Sequence, residues 1–364
     1  MDDTLTFAIY DKAGTYKRQF SGVEATLDLA GNVIPTATFV LDDDDPALGA
    51  VLANGARAAV LFRGEQRCRG LIRRKPGTGP NGQVTGHVVG DLRKLWEWQG
   101  RPVPSATIDA QTQAYRTYTG PSEAVFKNAL AENFARLGVP WVVAPSLGRG
   151  STTRAEFRFH PLADKVLQAL TADNLIVTLD YLDGQVIVDT RPARTVPGVF
   201  TVATGVPDEF TYDLTGPTAT RIIVGGRGEG VERQFVEVRD TVLEADWNDI
   251  IEGFVDARNT DEDADITVDG LEALAEGAPK SGLTTTLNET DRFRYGTTYV
   301  EGDLVRVRVG PIDRVQPISV SVTETTEDGL VVTPHIGDIE DDTDTILAQQ
   351  IARLARGARD TGRR

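Results

Sequence analysis

The residues able to do nucleophilic or acid–base chemistry are few and dispersed. Three histidines, His87, His160 and His335, and one cysteine, Cys68, stand far apart, and none has a Cys or His partner at metal-ligand spacing. His160 precedes Pro161 at a helix start, the place of a capping or surface residue rather than a base. No Gly-x-Ser-x-Gly occurs, and residues 148–152 read Gly-Arg-Gly-Ser-Thr, which is not a nucleophile elbow. The 54 acidic residues make some carboxylate pair inevitable, but nothing local marks one pair for glycoside hydrolysis.

Three motifs come closer to a ligand site. Gly225, Gly226, Gly228 and Gly230 follow an apolar strand, as in a dinucleotide loop. Such a loop must open a helix whose N-terminus meets the pyrophosphate, whereas residues 231–238 alternate as a strand. The run therefore reads as a β connection with room for positive φ or close backbone approach. Residues 277–282, GAPKSG, have the wrong glycine spacing for a phosphate loop. Asp261, Asp263 and Asp265 occupy the first three acidic positions of a calcium loop and Glu272 its twelfth, but Ile266 replaces the tight-turn glycine. A solvated acidic loop is the simpler account. Trp96, Trp98, Trp141 and Trp247 are scattered, as core or interface anchors are. The expectation is of no catalytic residue, no cofactor and no metal.

The composition agrees. The chain has 364 residues, 40% hydrophobic and 25% charged, which is globular and long enough for two to three domains. Its formal charge of −16 points away from duplex binding, which needs a basic footprint. Between Glu237 and Glu276, 14 acidic residues face two basic ones, so this window holds most of the excess. A single cysteine cannot form an internal disulfide. No stretch approaches 18 apolar residues, and the N-terminus, MDDTLTFAIYDK, lacks the basic region of a signal peptide, so a soluble, unexported chain is expected.

The elements that would position these residues are mostly strands. Runs at 5–11, 23–29, 37–42, 56–64, 68–74 and 83–91 are bounded by Gly, Asn, Asp or Pro, the pattern of a barrel or sandwich. Asp42 to Pro46 would stop a strand with charge and a missing donor. Residues 122–138 read as a helix capped by Ser122 and stopped by Gly138, and 161–175 as a second. Residues 176–192 form a hairpin pattern around Asp183-Gly184. β pattern returns over 196–240, breaks into acidic, partly helical sequence over 241–279, and resumes at 283–289, 303–310, 318–326 and 329–337. Residues 341–364 carry aspartates first and Arg353, Arg356 and Arg359 last, the sign order a helix dipole favours. That segment reads equally as a partner-binding helix or a frayed terminus.

The order of features resembles the siphophage tail-hub family, the minor tail or baseplate-hub proteins whose N-terminal part is shared with tail-associated lysins, in the form found in phages of actinobacteria. The residues carrying the resemblance are AIYDKAG (8–14), ATLDLAGNVIPTATFVL (25–41), residues 45–74, GHVVGDLRKLWEWQGR (86–101), RIIVGGRGEGVERQF (221–235), residues 246–262 and YGTTYVEGDLVRVRV (295–309). The most specific are the glycine run before Arg233 and the stretch Gly302, Asp303, Leu304 and Val305; with Gly225, Gly226, Gly228 and Gly230 these are the assembly candidates.

The resemblance implies a mainly β chain with α+β inserts. A first barrel would span 1–103, an α+β insert 104–195, and a second barrel 196–240 with 280–338, around the acidic insert 241–279 and before a C-terminal helix at 341–364. It further implies a homotrimer whose six barrels make a pseudo-sixfold collar at the virion tail tip, produced in the host cytoplasm. The collar would meet the distal tail or tail tube protein, the tape-measure C-terminus, and central fibre or receptor-binding minor tail proteins, with neither sequence-specific nucleic acid binding nor a membrane span. Relatives with a C-terminal lytic extension run longer, so no lytic module is expected here. A cell-wall hydrolase and a host-glycan-binding module, with the tryptophans as its candidates, are the alternatives.

Overall fold

The computed structural model describes residues 4–79, 82–257, 266–310, 312–327 and 329–336. The first β set holds β1 (Leu5–Tyr10), β2 (Tyr16–Ser21), β3 (Ala25–Leu29), β4 (Thr36–Asp42), β5 (Arg57–Phe62), β6 (Glu65–Arg74) and β7 (Gln83–Gly90), with the short helix α1 (Leu48–Leu52) before β5. They pair in the order β3-β4-β7-β6-β5-β1-β2, antiparallel throughout. Six of the seven match the sequence runs. β2, YKRQFS, escapes such a reading because it is exposed along nearly its whole length and so carries no apolar alternation. Asp11 turns the chain between β1 and β2, its Oδ1 accepting the backbone N–H groups of Ala13 and Thr15 at 2.9 Å each. Leu5, Phe7, Ile9, Leu27, Phe39, Leu41 and Phe62 are almost wholly buried on one side of this sheet.

An α+β segment follows: α2 (Lys94–Glu97), β8 (Gln99–Gly100), β9 (Arg116–Pro121), α3 (Ser122–Leu137), β10 (Trp141–Val143), β11 (Thr152–Phe157), β12 (His160–Pro161), α4 (Leu162–Ala172), β13 (Leu175–Leu182) and β14 (Gln185–Pro192). The apolar stripes of α3 (Val125, Phe126, Ala129, Leu130, Phe134) and α4 (Leu162, Val166, Leu167, Leu170) share one core. Gly138 ends α3 at φ +60°, and Asp183 and Gly184, at φ +51° and +78°, make the tight turn of the β13–β14 hairpin. Ser122 is not the helix cap. It is the first helical residue, and its hydroxyl donates to the Asp173 carboxylate at 2.5 Å.

Beyond β15 (Phe200–Thr201) the chain runs along β16 (Pro207–Thr215) into β17 (Arg221–Gly225), β18 (Phe235–Arg239), α5 (Thr241–Trp247), β19 (Glu252–Asp256) and α6 (Thr267–Glu276). It returns through β20 (Lys280–Leu287), β21 (Leu304–Val309), β22 (Ile312–Thr325) and β23 (Gly329–Ile336). Phe210–Thr284 forms a compact unit of its own, with a sheet ordered β18-β17-β19. The β pattern of 221–239, β17 and β18, thus pairs in a sheet of this unit, where the sequence reading set it in the second barrel: local alternation reports a strand, not the sheet it joins. The proposed helix at 341–364 and Asp261, Asp263 and Asp265 lie outside the described residues.

The second β set pairs β16-β20-β23-β22, with β21 and β15 continuing from β22. A long-range ladder then joins the sets. β22 pairs antiparallel with β3, from Val320 opposite Leu29 to Glu324 opposite Ala25, and a 13-stranded sheet results. Among the described residues no ladder closes either set into the barrel expected from sequence. The outer edge of β3, which closure of the first set would require, is occupied by β22. The sheet is an open path ending at β16 and β2.

Candidate functional site

Side chains of paired residues in a sheet share a face, and alternate residues take opposite faces. Leu27, Leu29, Ala37, Phe39, Val88, Val320 and Val322 are buried on one face. The register places hydroxyls on the other. Thr26 is opposite Thr38, Asp28 opposite Thr36, and Thr38 opposite His87. Across the joint, Ser321 is opposite Asp28 and Thr323 opposite Thr26; Ser319 and Ser321 then face His335 and Thr333, and Thr286 faces His335. Val40, Val89 and Val331 interrupt the polar run.

The face crosses six strands, about 24 Å at the usual ~4.8 Å spacing. Its hydroxyls bond one another: Thr26 and Thr38 lie 2.6 Å apart, and Ser321 donates to Asp28. Asp28, the carboxylate of these positions, is 8% exposed. Burial lowers the pKa of His335, so its imidazole is neutral at pH 7. The face is therefore wettable and carries little charge over β3, β22 and β23, while Asp42 and Arg74 add charge at its β4 and β6 end. Its signal was legible in the sequence, as Thr or Ser at alternate positions of TLD, TATFV, SVSVTET and TTTL, but no local pattern said that the runs meet.

Gly302, Asp303, Leu304 and Val305 lie at a buried junction. Asp303 is fully buried. It accepts from Arg191 Nη1 at 2.8 Å, Arg194 Nη2 at 2.7 Å and Nε at 3.0 Å, and the backbone N–H groups of Arg194 and Val300 at 3.1 and 3.0 Å. Burial pushes the carboxyl up, but the bonds from Arg194, Val300 and Arg191 outweigh it and hold the pKa below the ordinary range. Gly302 sits at φ +81°, where a Cβ would lie 2.9 Å from Ile176 Cδ1 and 3.1 Å from Gly31 Cα. Leu304 trades backbone hydrogen bonds with Arg194 and Val196, both 2.8 Å, and Val305 is buried. Phe293 stacks on Tyr299, Tyr295 packs tilted against Tyr299, and Tyr295 donates to Glu301 at 2.8 Å.

Two further ionic junctions had no sequence signature. Asp91 accepts from Arg57, from Arg93 at 2.9 Å and from Tyr181 at 3.2 Å. Glu123, in the first turn of α3, is fully buried and binds Lys127 and Arg149, both at 2.8 Å. Burial opposes its ionisation, but the bonds from Arg149 and Lys127 hold its pKa far below the carboxylate range. The three junctions tie β5, β7, α3, β13, β14 and the start of β21 together.

In the separate unit, Arg233 closes the glycine loop. It donates to the carbonyls of Gly226 and Gly225 at 3.0 and 2.9 Å and to Asp256 at 2.7 Å, with its guanidinium over Phe235 and Phe254. A Cβ on Gly225 would lie 2.5 Å from Arg233 Nη2, and one on Gly228 2.6 Å from the Glu232 carbonyl. The loop is filled by its own arginine, which leaves no cradle for a phosphate. Trp98 and Trp141 pack edge to face with Phe134, and Trp96 is buried, so these three offer no sugar platform; Trp247 is half exposed.

The Siphovirus ReqiPepy6 Gp37-like protein family model matches residues 36–338. No curated protein sequence matches the chain. Among solved structures, the 43 kDa tail protein of prophage MuSo2 from Shewanella oneidensis superposes with a TM-score of 0.58 at 11% identity, covering 92% of this chain and 98% of that one. A tail protein from Neisseria meningitidis MC58 gives 0.50 at 14% identity, over 91% and 96%. With the fold of phage tail proteins and a family match over most of its length, the chain belongs to the Siphovirus ReqiPepy6 Gp37-like protein family.

Proposed function

We propose that the chain is a structural hub subunit at the tip of a siphophage tail. Three copies close a ring around the DNA path and adapt a sixfold tail tube to a threefold tip. The observation carrying this reading is the β22–β3 ladder. It sets two β sets side by side in one chain, so three chains supply six similar units. The hydroxyl face is the wall of the bore. Across β3, β22 and β23, neutral hydroxyls and one shielded carboxylate give phosphates no cation to pair with, as passage without gripping requires. Distal tail or tube protein, tape-measure C-terminus and fibre proteins are the neighbours of such a ring.

The buried carboxylates support assembly rather than hydrolysis. Asp303 and Glu123 are held ionised by arginine and lysine, the reverse of the raised pKa of a general acid. Solution mass tests the hub. Three times 39.4 kDa is 118 kDa, the mass expected for the ring. A 39.4 kDa monomer at every concentration, with no ring in purified particles, overturns it.

A further inference from the structure

A groove of about 710 Å³ opens on the α+β segment, within the ~300–1,000 Å³ range of ligand clefts. One wall is the end of α3, with Glu132, Ala135 and Arg136. The other is the loop after β8, residues 101–107, which reads Arg-Pro-Val-Pro-Ser-Ala-Thr. Pro102 and Pro104 fix two of its φ angles. Gln111 fastens the rest. Its Oε1 accepts the Val103 N–H at 2.8 Å, and its Nε2 is shared among the Val103, Ala106 and Thr107 carbonyls at 3.0, 3.3 and 2.9 Å. The wall is formed before anything binds, so binding loses little ordering entropy.

The charges in this groove are unbalanced. Arg116 forks onto Glu132 at 3.0 and 2.5 Å, and Tyr118 donates to the same carboxylate at 2.8 Å. That occupies Glu132, the acidic residue of the lining. Arg136 donates to the Gln99 carbonyl at 2.9 Å and to Asn133 Oδ1 at 3.2 Å, and Arg101 to the Ala106 carbonyl at 3.2 Å. Neither arginine meets a carboxylate among the described residues. Burial, and then the charge of Arg101, hold the Arg136 pKa below its ordinary value, and both guanidinium groups stay cationic at pH 7. Two like charges in one groove repel, and an anion set between them relieves both.

We propose that this groove binds an acidic peptide segment of a partner protein, with one carboxylate seated between Arg101 and Arg136. Two cations beside a fixed carboxylate make no track for successive phosphates, so a nucleic acid fits the groove poorly. Proline, valine and alanine form the apolar lining, with Ser105, Thr107 and Gln113 as neutral polar groups. An apolar lining with a few polar groups fixing orientation is the make-up of a recognition cleft. A carboxylate is the anion that a guanidinium pair holds with directed hydrogen bonds. The groove lies within one chain and does not depend on the ring.

Fluorescence anisotropy tests it on the full chain, with labelled peptides of ~8 residues that carry one to four aspartates among alanine and proline, in about 100 mM salt. Saturable binding with Kd below about 1 mM is expected, tightening as aspartates are added. Arg101→Gln and Arg136→Gln each weaken it at least ~tenfold, whereas Arg18→Gln, an exposed arginine on β2, leaves it unchanged. Circular dichroism melting confirms that each variant is folded. Where Arg136→Gln fails to fold, Ala135→Trp, at an exposed position on the same wall, fills the groove while keeping both charges and abolishes binding. An unaltered chain that binds none of the peptides, or peptide binding that survives Arg101→Gln and Ala135→Trp, overturns the assignment. A single-stranded oligonucleotide that binds more tightly than every peptide and is lost in the same variants overturns it in favour of nucleic acid. Self-association of the unaltered chain that the same variants abolish overturns it in favour of a second copy.

Discussion

Replacing Asp303 by alanine removes the acceptor of five hydrogen bonds at a site with no access to water. Breaking a buried ion pair costs about 3–5 kcal/mol, chiefly through the charge left without a partner. Here the discount is substantial, because the Arg194 side chain is 57% exposed and Arg191 is 27% exposed and keeps the Glu301 carbonyl at 2.6 Å. Against that, the N–H groups of Arg194 and Val300 lose their acceptor, at about 1 kcal/mol each. The net is about 3 kcal/mol, or a melting shift of roughly 6–12 °C for a unit of this size. Asp303→Asn, which keeps the shape and one acceptor oxygen, costs about half. The pH dependence gives a second readout. The folded carboxyl has a pKa below its unfolded value, so its stabilisation is complete above about pH 4 and is lost as pH falls through the folded value. The melting gap between the original chain and Asp303→Asn is therefore flat from pH 7 to about pH 5 and closes below it. Scanning fluorimetry across pH measures both effects. A shift under about 2 °C, or a gap that persists unchanged into acid, would refute the assignment of Asp303 as the ionic centre of this junction.

Glu123→Gln loses about 2–4 kcal/mol at pH 7, and because the folded pKa is depressed the loss relative to the original chain also shrinks below about pH 4; urea unfolding at pH 7 and pH 3.5 compares them. Gly302→Ala combines a positive φ with contacts inside 3.2 Å and lowers stability by about 2–4 kcal/mol in the same assay, whereas Gly184→Ala, with open space around it, costs only about 1 kcal/mol. Arg233→Ala frees the carbonyls of Gly225 and Gly226 and speeds amide exchange across residues 225–235 by roughly tenfold, while exchange in β3 and β22 is unchanged.

Much of the secondary structure could be read from the residues. Leu5, Phe7 and Ile9 alternate because one face of β1 is buried, and Asp183-Gly184 marks its hairpin because that turn demands positive φ. β2 could not be read: Tyr16 to Gln19 are solvated on both sides and leave no period. The joint between Thr26 and Thr323 could not be read either, since its partners lie nearly 300 residues apart and each strand is locally complete. The same limit hid that β17 and β18, at 221–239, pair in a sheet of their own. For the candidate residues, the Gly302–Val305 stretch stood out by resemblance, and Gly302 has a reason in its φ. The partners of Asp303, Asp91 and Glu123 had no signature, because a buried carboxylate is chosen by whichever guanidinium the fold brings to it.

An electron cryomicroscopy map of the tail tip in intact particles tests the hub role. Three copies are expected around the tail axis, with the β22–β3 joint at the inner wall and Thr26, Thr38, Ser321 and Thr323 facing the lumen. A map placing this chain off the axis, or turning that hydroxyl face outward against another protein, would contradict it.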